Sequence, residues 1–198
     1  MKKHFVKVLM QLASFKAKNY RLALEETFFK LDEQMLADAG QKELSKFQKQ
    51  GGEDPFSPAM LMGGGRSMAG CTATVVLITP QEIYCANAGD SRTVLSKAKK
   101  ACDLSVDHKP NDREEKRRIE QAGGFVQEDR VNGMLALSRA LGDFEYKSNN
   151  LLKPKDQAVT AYPDIKCLPI QSDCEFILLA CDGIWDVKTS QQAIDYLH

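Results

Sequence analysis

A chain of 198 residues is long enough for one domain with its own core, and 43% hydrophobic with 27% charged residues is ordinary globular composition, which excludes disorder throughout. The 27 basic residues balance 27 acidic ones, so neither nucleic acid nor a membrane surface is expected as a partner. Six cysteines without a CxxC pair and three histidines argue against a zinc cluster and read as reduced core thiols.

In Met1–Met10, Lys7 interrupts the apolar run, so the stretch reads as an amphipathic helix rather than a secretory signal. No segment is long enough to cross a bilayer, and a soluble intracellular protein, cytoplasmic or nuclear, is expected. Residues 4–38 read as two helices. In the second, Leu24, Phe28, Leu31 and Met35 recur at three- and four-residue steps, as a packing face requires. A shorter helix around Glu43–Gln50 completes a helical segment over residues 1–50. Six of the thirteen glycines, with Pro55 and Pro58, fall between Gly51 and Gly70 and mark residues 51–70 as a flexible loop. Its Gly63-Gly64-Gly65-Arg66 lacks the lysine and hydroxyl of a P-loop.

Residues 71–198 read as a sheet core with helices. Cys71–Ile78 and Glu82–Ala88 form a hairpin around Thr79-Pro80-Gln81, and Gly89-Asp90-Ser91-Arg92 breaks the pattern before Thr93–Leu95. Asp107-His108-Lys109-Pro110 leads to a helix over 112–122, with Ile119 and Ala122 inward and Arg113, Glu114, Glu115, Lys116, Arg117, Arg118 and Glu120 in water. His108 is a residue of general-acid type, but packing and hydrogen bonding within its loop is the simpler reading. Phe125–Gln127 and Met134–Leu137 flank a turn at Arg130–Gly133, and Ser138–Asp143 reads as a short helical turn ended by Gly142. Arg130 and Arg139 are candidate phosphate partners, with an ion pair to an aspartate such as Asp143 the alternative for Arg139. Ile165–Leu168 and Glu175–Ala180 read as a last hairpin, and Ser190 as the cap of a final helix carrying Ala193, Ile194 and Leu197.

Phe176–Cys181 is the most apolar run and reads as a strand buried on both faces. Asp182 at its tip, Gly183 to turn the backbone and Asp186 four residues on place two carboxylates at one end of a rigid element, and a divalent cation suits oxygen-only ligands. The alternative is a turn-forming Asp182 beside a solvated Asp186. Asp90 is a second carboxylate at a strand end.

Six segments stand in a telling order: Gly70–Ala73, Asn87–Arg92, Asp107–Pro110, Arg130–Gly133, Leu137–Asp143 and Ala180–Asp186. The order and rough spacing resemble the metal-dependent protein phosphatases of type 2C, the PPM family, and Ala161–Lys166 looks most like their gamma branch. The resemblance implies an α+β fold, a β-sandwich of two central antiparallel sheets flanked by helices, here incomplete. It implies hydrolysis of phosphoserine and phosphothreonine in proteins by a monomer, dependent on Mn2+ or Mg2+. Asp182 would be a ligand of a binuclear centre, Asp90 and Asp186 would join it around a third metal, and Arg130 would lie near the substrate. Two cations can activate and aim a water, so no protein nucleophile is required and no catalytic side chain is assigned. The family's upstream arginine and Asp-Gly-His-Gly-Gly motif, and its closing Asp-Asn motif, are not in this sequence, which reads as the middle of a phosphatase domain truncated at both ends. Their absence keeps open a catalytically inactive, phosphatase-like binding or regulatory protein. A third reading, Asp182 as a phosphoryl-accepting nucleophile, requires a covalent phosphoenzyme.

Overall fold

The structure is a computed structural model that describes residues 4–48 and 69–198; the glycine-rich stretch expected over 51–70 lies, but for its last two residues, outside the described residues. The N-terminal segment is helical, in four pieces: α1 (Phe5–Gln11), α2 (Ala13–Lys16), α3 (Tyr20–Leu36) and α4 (Asp38–Gln48). The Asn19 side chain caps α3 by accepting the Leu22 N–H. The predicted stripe of α3 is its buried face, where Leu24, Phe28 and Leu31 form one cluster with Val8, Leu9 and Leu12 of the first helices.

This helical layer lies on the first of two three-stranded antiparallel sheets, in the order β2–β3–β9. Here β2 is Ala73–Ile78, β3 is Glu82–Ala88 and β9 is Asp164–Pro169. The second sheet has the order β10–β4–β5, with β4 at Arg92–Lys97, β5 at Lys100–Asp103 and β10 at Cys174–Ala180. Ile83, Cys85, Leu95 and Leu104 fill the space between the sheets. The far face of the second sheet carries Val94 against Trp185 and against Ala193 and Ile194 of the last helix, Ser190–Leu197. The result is four layers, helix, sheet, sheet, helix, with apolar residues at each of the three contacts between them.

Smaller elements complete the chain: β1 (Gly70–Cys71) pairs with β8 (Leu141–Gly142), and β6 (Val126–Gln127) pairs with β7 (Arg130–Val131). Between β5 and β6 runs α5 (Arg113–Gln121); α6 (Asp182–Trp185) and α7 (Ser190–Leu197) follow β10.

The β2–β3 hairpin is as predicted, from Ala73 opposite Ala88 to Ile78 opposite Ile83. The last hairpin is not. Ile165 of β9 lies opposite Ala86 of β3, whereas Ile177 of β10 lies opposite Leu95 of β4, so the two strands belong to different sheets. The turn between them spans the gap of about 10 Å that separates stacked sheets, and sequence adjacency says nothing about which way such a strand turns.

β10 is also not buried on both faces: it is an edge strand, and Leu179 is 44% exposed. Thr74 touches Thr93 and Lys166 donates to the Asp103 carbonyl, which sets β2 over β4 and β9 over β5. The edges of β2 and β10, which no other strand pairs among the described residues, therefore share one flank of the sandwich, where Ile78 is 61% exposed.

Ser138–Asp143 is extended rather than helical. Gly142 (φ +82°) and Asp143 (φ +51°) adopt left-handed backbone in succession, which no α-helix accommodates, and Leu141–Gly142 pairs with β1 instead. The cap of α7 is Thr189, which accepts the Gln192 N–H while the Gln192 side chain accepts from the Thr189 N–H. Ser190, expected in that role, donates instead to Asp103.

Candidate metal centre

Strand β3 ends in a turn that only glycine can make. Gly89 has φ +115°, and a Cβ there would collide with the Thr72 side chain. Asp90 follows at once, its carboxylate at the tip of the sheet and nearly buried.

The loop after β5 clamps this turn. His108 N–H donates to the Gly89 carbonyl at 3.1 Å, the Gly89 N–H donates to His108 Nδ1 at 3.1 Å, and Lys109 Nζ donates to Asp90 Oδ2 at 2.7 Å. Asn87 adds a fourth bond, from Nδ2 to the Gly89 carbonyl at 3.0 Å. His108 is 4% exposed and bonded on both ring nitrogens; it is packed as expected, but its partners are Gly89 and Asp164 on other elements rather than groups of its own loop.

The second pair of carboxylates follows β10. Asp182 opens the short helix α6, with its Oδ1 accepting the N–H of Gly183 at 2.9 Å, and Asp186 ends it, donating its own N–H to the Asp182 carbonyl. Both are exposed. Trp185, on the inner side of α6, donates its indole N–H to the Ala180 carbonyl at 2.8 Å and carries the Arg92 guanidinium 5.2 Å from its ring centre. Arg92 grips Asp107 through two bonds of 2.9 Å and also donates to Ser190 Oγ. The start of β4, the loop before Lys109, α6 and the start of α7 are thus held by one guanidinium.

The four acidic and basic residues proposed from sequence separate as follows. Lys109 stands between two of them: it bonds Asp90, and Asp107 and Asp186 bear on it electrostatically. Burial alone would lower its pKa, but these three carboxylates hold it above an ordinary lysine. Asp182 makes no bond to this group, and among the described residues no three of His, Cys, Asp and Glu converge on a common point. Arg130 lies in the β6–β7 hairpin, apart from the aspartates, its Nη1 donating to the Met134 carbonyl at 2.6 Å.

The place suits a positive charge, because an ammonium already sits in it. The donors are carboxylate oxygens, which fit Mg2+ or Mn2+. Asp90 bonds the ammonium and Asp186 acts on it electrostatically, so a divalent ion in its place, with no more than these two carboxylates, would keep most of its water.

A second charged system lies behind the turn. Glu115 of α5, expected in water, is 3% exposed. It accepts from Arg118 at 2.7 Å, Arg139 at 2.6 Å and Ser138 at 2.6 Å. Burial alone would raise its pKa, but the Arg139 hydrogen bonds and the Arg118 charge bring it down to about 2. Arg139 also reaches Asp164 at 2.7 Å, and Asp164 meets His108 Nε2 at 3.2 Å. The bond to His108, aided by Arg139, holds the Asp164 carboxyl well below the usual range. Arg139 is thus ion-paired, but to Glu115 and Asp164 rather than to Asp143.

Sequence reasoning missed Lys109, Asp164 and Glu115 as members of the site's frame. Lys109 belongs to the Asp107–Pro110 segment, but its reach to Asp90 depends on the loops after β3 and β5 meeting.

The model for the family described as Protein phosphatase 2C matches residues 1–198. A sandwich of two antiparallel sheets with acidic residues at its tips is the architecture of that class. The chain belongs to the protein phosphatase 2C family.

Its relatives include Protein phosphatase 2C 1 of Paramecium tetraurelia, 45% identical over 194 residues, covering 98% of this chain and 61% of the relative. Protein phosphatase 2C homolog 2 of Schizosaccharomyces pombe is 46% identical over 197 residues, covering 99% of this chain and 47% of the relative. The chain thus spans about three-fifths of the length of the Paramecium relatives it matches. Among solved structures, a phosphatase from a pathogenic strain of Toxoplasma gondii superposes with a TM-score of 0.68 at 26% identity, over 98% of this chain and 66% of that one.

Proposed function

We propose that the chain acts in hydrolysing phosphoserine and phosphothreonine in phosphorylated proteins, with Mg2+ or Mn2+ held at the sheet tips by Asp90, Asp186 and Asp182. The observation that carries this reading is the Asp90 carboxylate, fixed at a strand tip and matched to a cation 2.7 Å away, in a chain of this family. When bound, such a metal supplies an acidified water as the attacking group and charge for the phosphoryl oxygens. Asp90 and Asp186 bind and orient from two different elements. Lys109 holds positive charge at the same place when no metal is there, and must give way for one. Arg130, at the surface of its hairpin, is suited to meet a phosphate two oxygens at a time, once freed from the Met134 carbonyl. The six cysteines are free, which suits a reducing, intracellular compartment.

The test is release of phosphate from a phosphothreonine peptide by the 198-residue chain as Mn2+ is raised to the millimolar range. Metal-dependent release, lost in Asp182→Asn and Asp186→Asn, supports the reading. A second reading, binding of phosphoproteins without turnover, is favoured by one observation: no three carboxylates converge among the described residues. Saturable peptide binding with no phosphate release at any Mn2+ concentration would select it.

A further inference from the structure

His108 has no contact with any aspartate proposed to face the cation, yet the main chain on which Asp90 sits is bonded to its ring. The Gly89 N–H points at Nδ1, so that nitrogen carries no proton. The ring proton is then on Nε2, facing Asp164 Oδ2 at 3.2 Å. Asp164 is anchored by Arg139, which is anchored by the buried Glu115. A chain of charge-assisted bonds thus runs from helix α5 to the imidazole and ends on the peptide N–H immediately before Asp90. Gly89 is left-handed at φ +115° and close against Thr72; its carbonyl is held by His108 N–H and Asn87, and its buried N–H has the imidazole as its partner, so loss of the ring leaves that N–H without an acceptor.

We propose that His108 is a positioning residue for the cation site: Asp164 fixes its Nε2–H tautomer, and the bare Nδ1 fixes the Gly89–Asp90 turn so that the Asp90 carboxylate is presented to the metal. This deepens the proposed function, because it rests on Asp90 facing a cation. The two ring nitrogens have separable duties, and each can be mimicked alone. Asparagine places an amide oxygen near the Nδ1 position, where it can accept the Gly89 N–H, but is too short for Asp164. Glutamine reaches Asp164 but leaves the Gly89 N–H without an acceptor.

The experiment is Mn2+ binding to the whole chain, read from the electron paramagnetic resonance signal of the free ion, in wild type, His108→Ala, His108→Asn, His108→Gln and Asp90→Asn, with the thermal midpoint of each measured in parallel. Binding weakened at least tenfold in the alanine variant, restored to within about threefold of wild type by asparagine and left weak by glutamine, is the expected result. Equal behaviour of asparagine and glutamine, or affinities that follow only the thermal midpoints, overturns it, as does an alanine variant that binds like wild type. The Asp90 variant separates the two levels. If it weakens binding while the alanine variant does not, the positioning role alone fails. If wild type binds no Mn2+, or Asp90→Asn binds as well as wild type, the cation reading fails and the positioning role with it.

Discussion

Arg92 and Asp107 meet fork to fork, Nε to Oδ1 and Nη2 to Oδ2, at 2.9 Å each. The pair is partly exposed, so its Coulombic share is small, and its value lies in fixed geometry. Arg92→Lys keeps the charge and loses the fork, the Ser190 bond and the flat contact with Trp185. A loss of about 1–2 kcal/mol is expected in urea unfolding, with weaker Mn2+ binding because α6 is no longer held. An unchanged midpoint and affinity would show that the fork is ornamental.

Glu115 stands between two largely buried arginines, and removing its charge leaves Arg118 without a carboxylate and Arg139 with Asp164 alone. Glu115→Gln is expected to cost about 3 kcal/mol or more. Because the folded carboxyl titrates at about 2, below its ordinary value of 4.5, its contribution is complete above pH 4.5 and drains away as pH falls toward 2. The difference between wild type and Glu115→Gln should therefore narrow across that interval in acid-unfolding curves.

Asp143 behaves in the opposite sense. Burial pushes its carboxyl up to about 6 from the ordinary 3.8, with Lys147 offsetting part of the effect. The folded chain holds the proton that the unfolded chain has released, so stability falls as pH rises from 3.8 to 6 and stays low above it. Asparagine tolerates the left-handed backbone at this position. Asp143→Asn is expected to be more stable than wild type at pH 7, by roughly 3 kcal/mol at most, with no difference below pH 3.8. Thermal midpoints taken across pH 3–8 would settle it.

Among the described residues, the shared flank of β2 and β10 offers two rows of unpaired backbone groups beside exposed Ile78 and Leu179. Such edges template pairing with other chains, and an added lysine blunts them. The double variant Ile78→Lys, Leu179→Lys is expected to lower concentration-dependent association in sedimentation velocity while shifting stability by about 0.5 kcal/mol per site or less. Equal association would place the sticky surface elsewhere.

What the sequence discloses and what it conceals divide along local and non-local lines. The β2–β3 hairpin and the α3 stripe are written in short-range patterns, and they stand where expected. The partner of β10 is some eighty residues away in β4, and no short-range signal names it. Glu115 looked solvated because a charge on a helix usually is; its burial depends on Arg118 of its own helix and Arg139 of a distant loop arriving together. Lys109 and Asp164 joined the site in the same way, through loops whose meeting is decided by packing between the sheets.

The sequence holds one tryptophan, and it is Trp185, seated between the two aspartates of α6 and beneath the Arg92 guanidinium. Its fluorescence is therefore a private signal from this corner of the molecule. Any ligand that shifts α6 will alter its brightness or colour, so occupancy can be followed optically in the unlabelled chain.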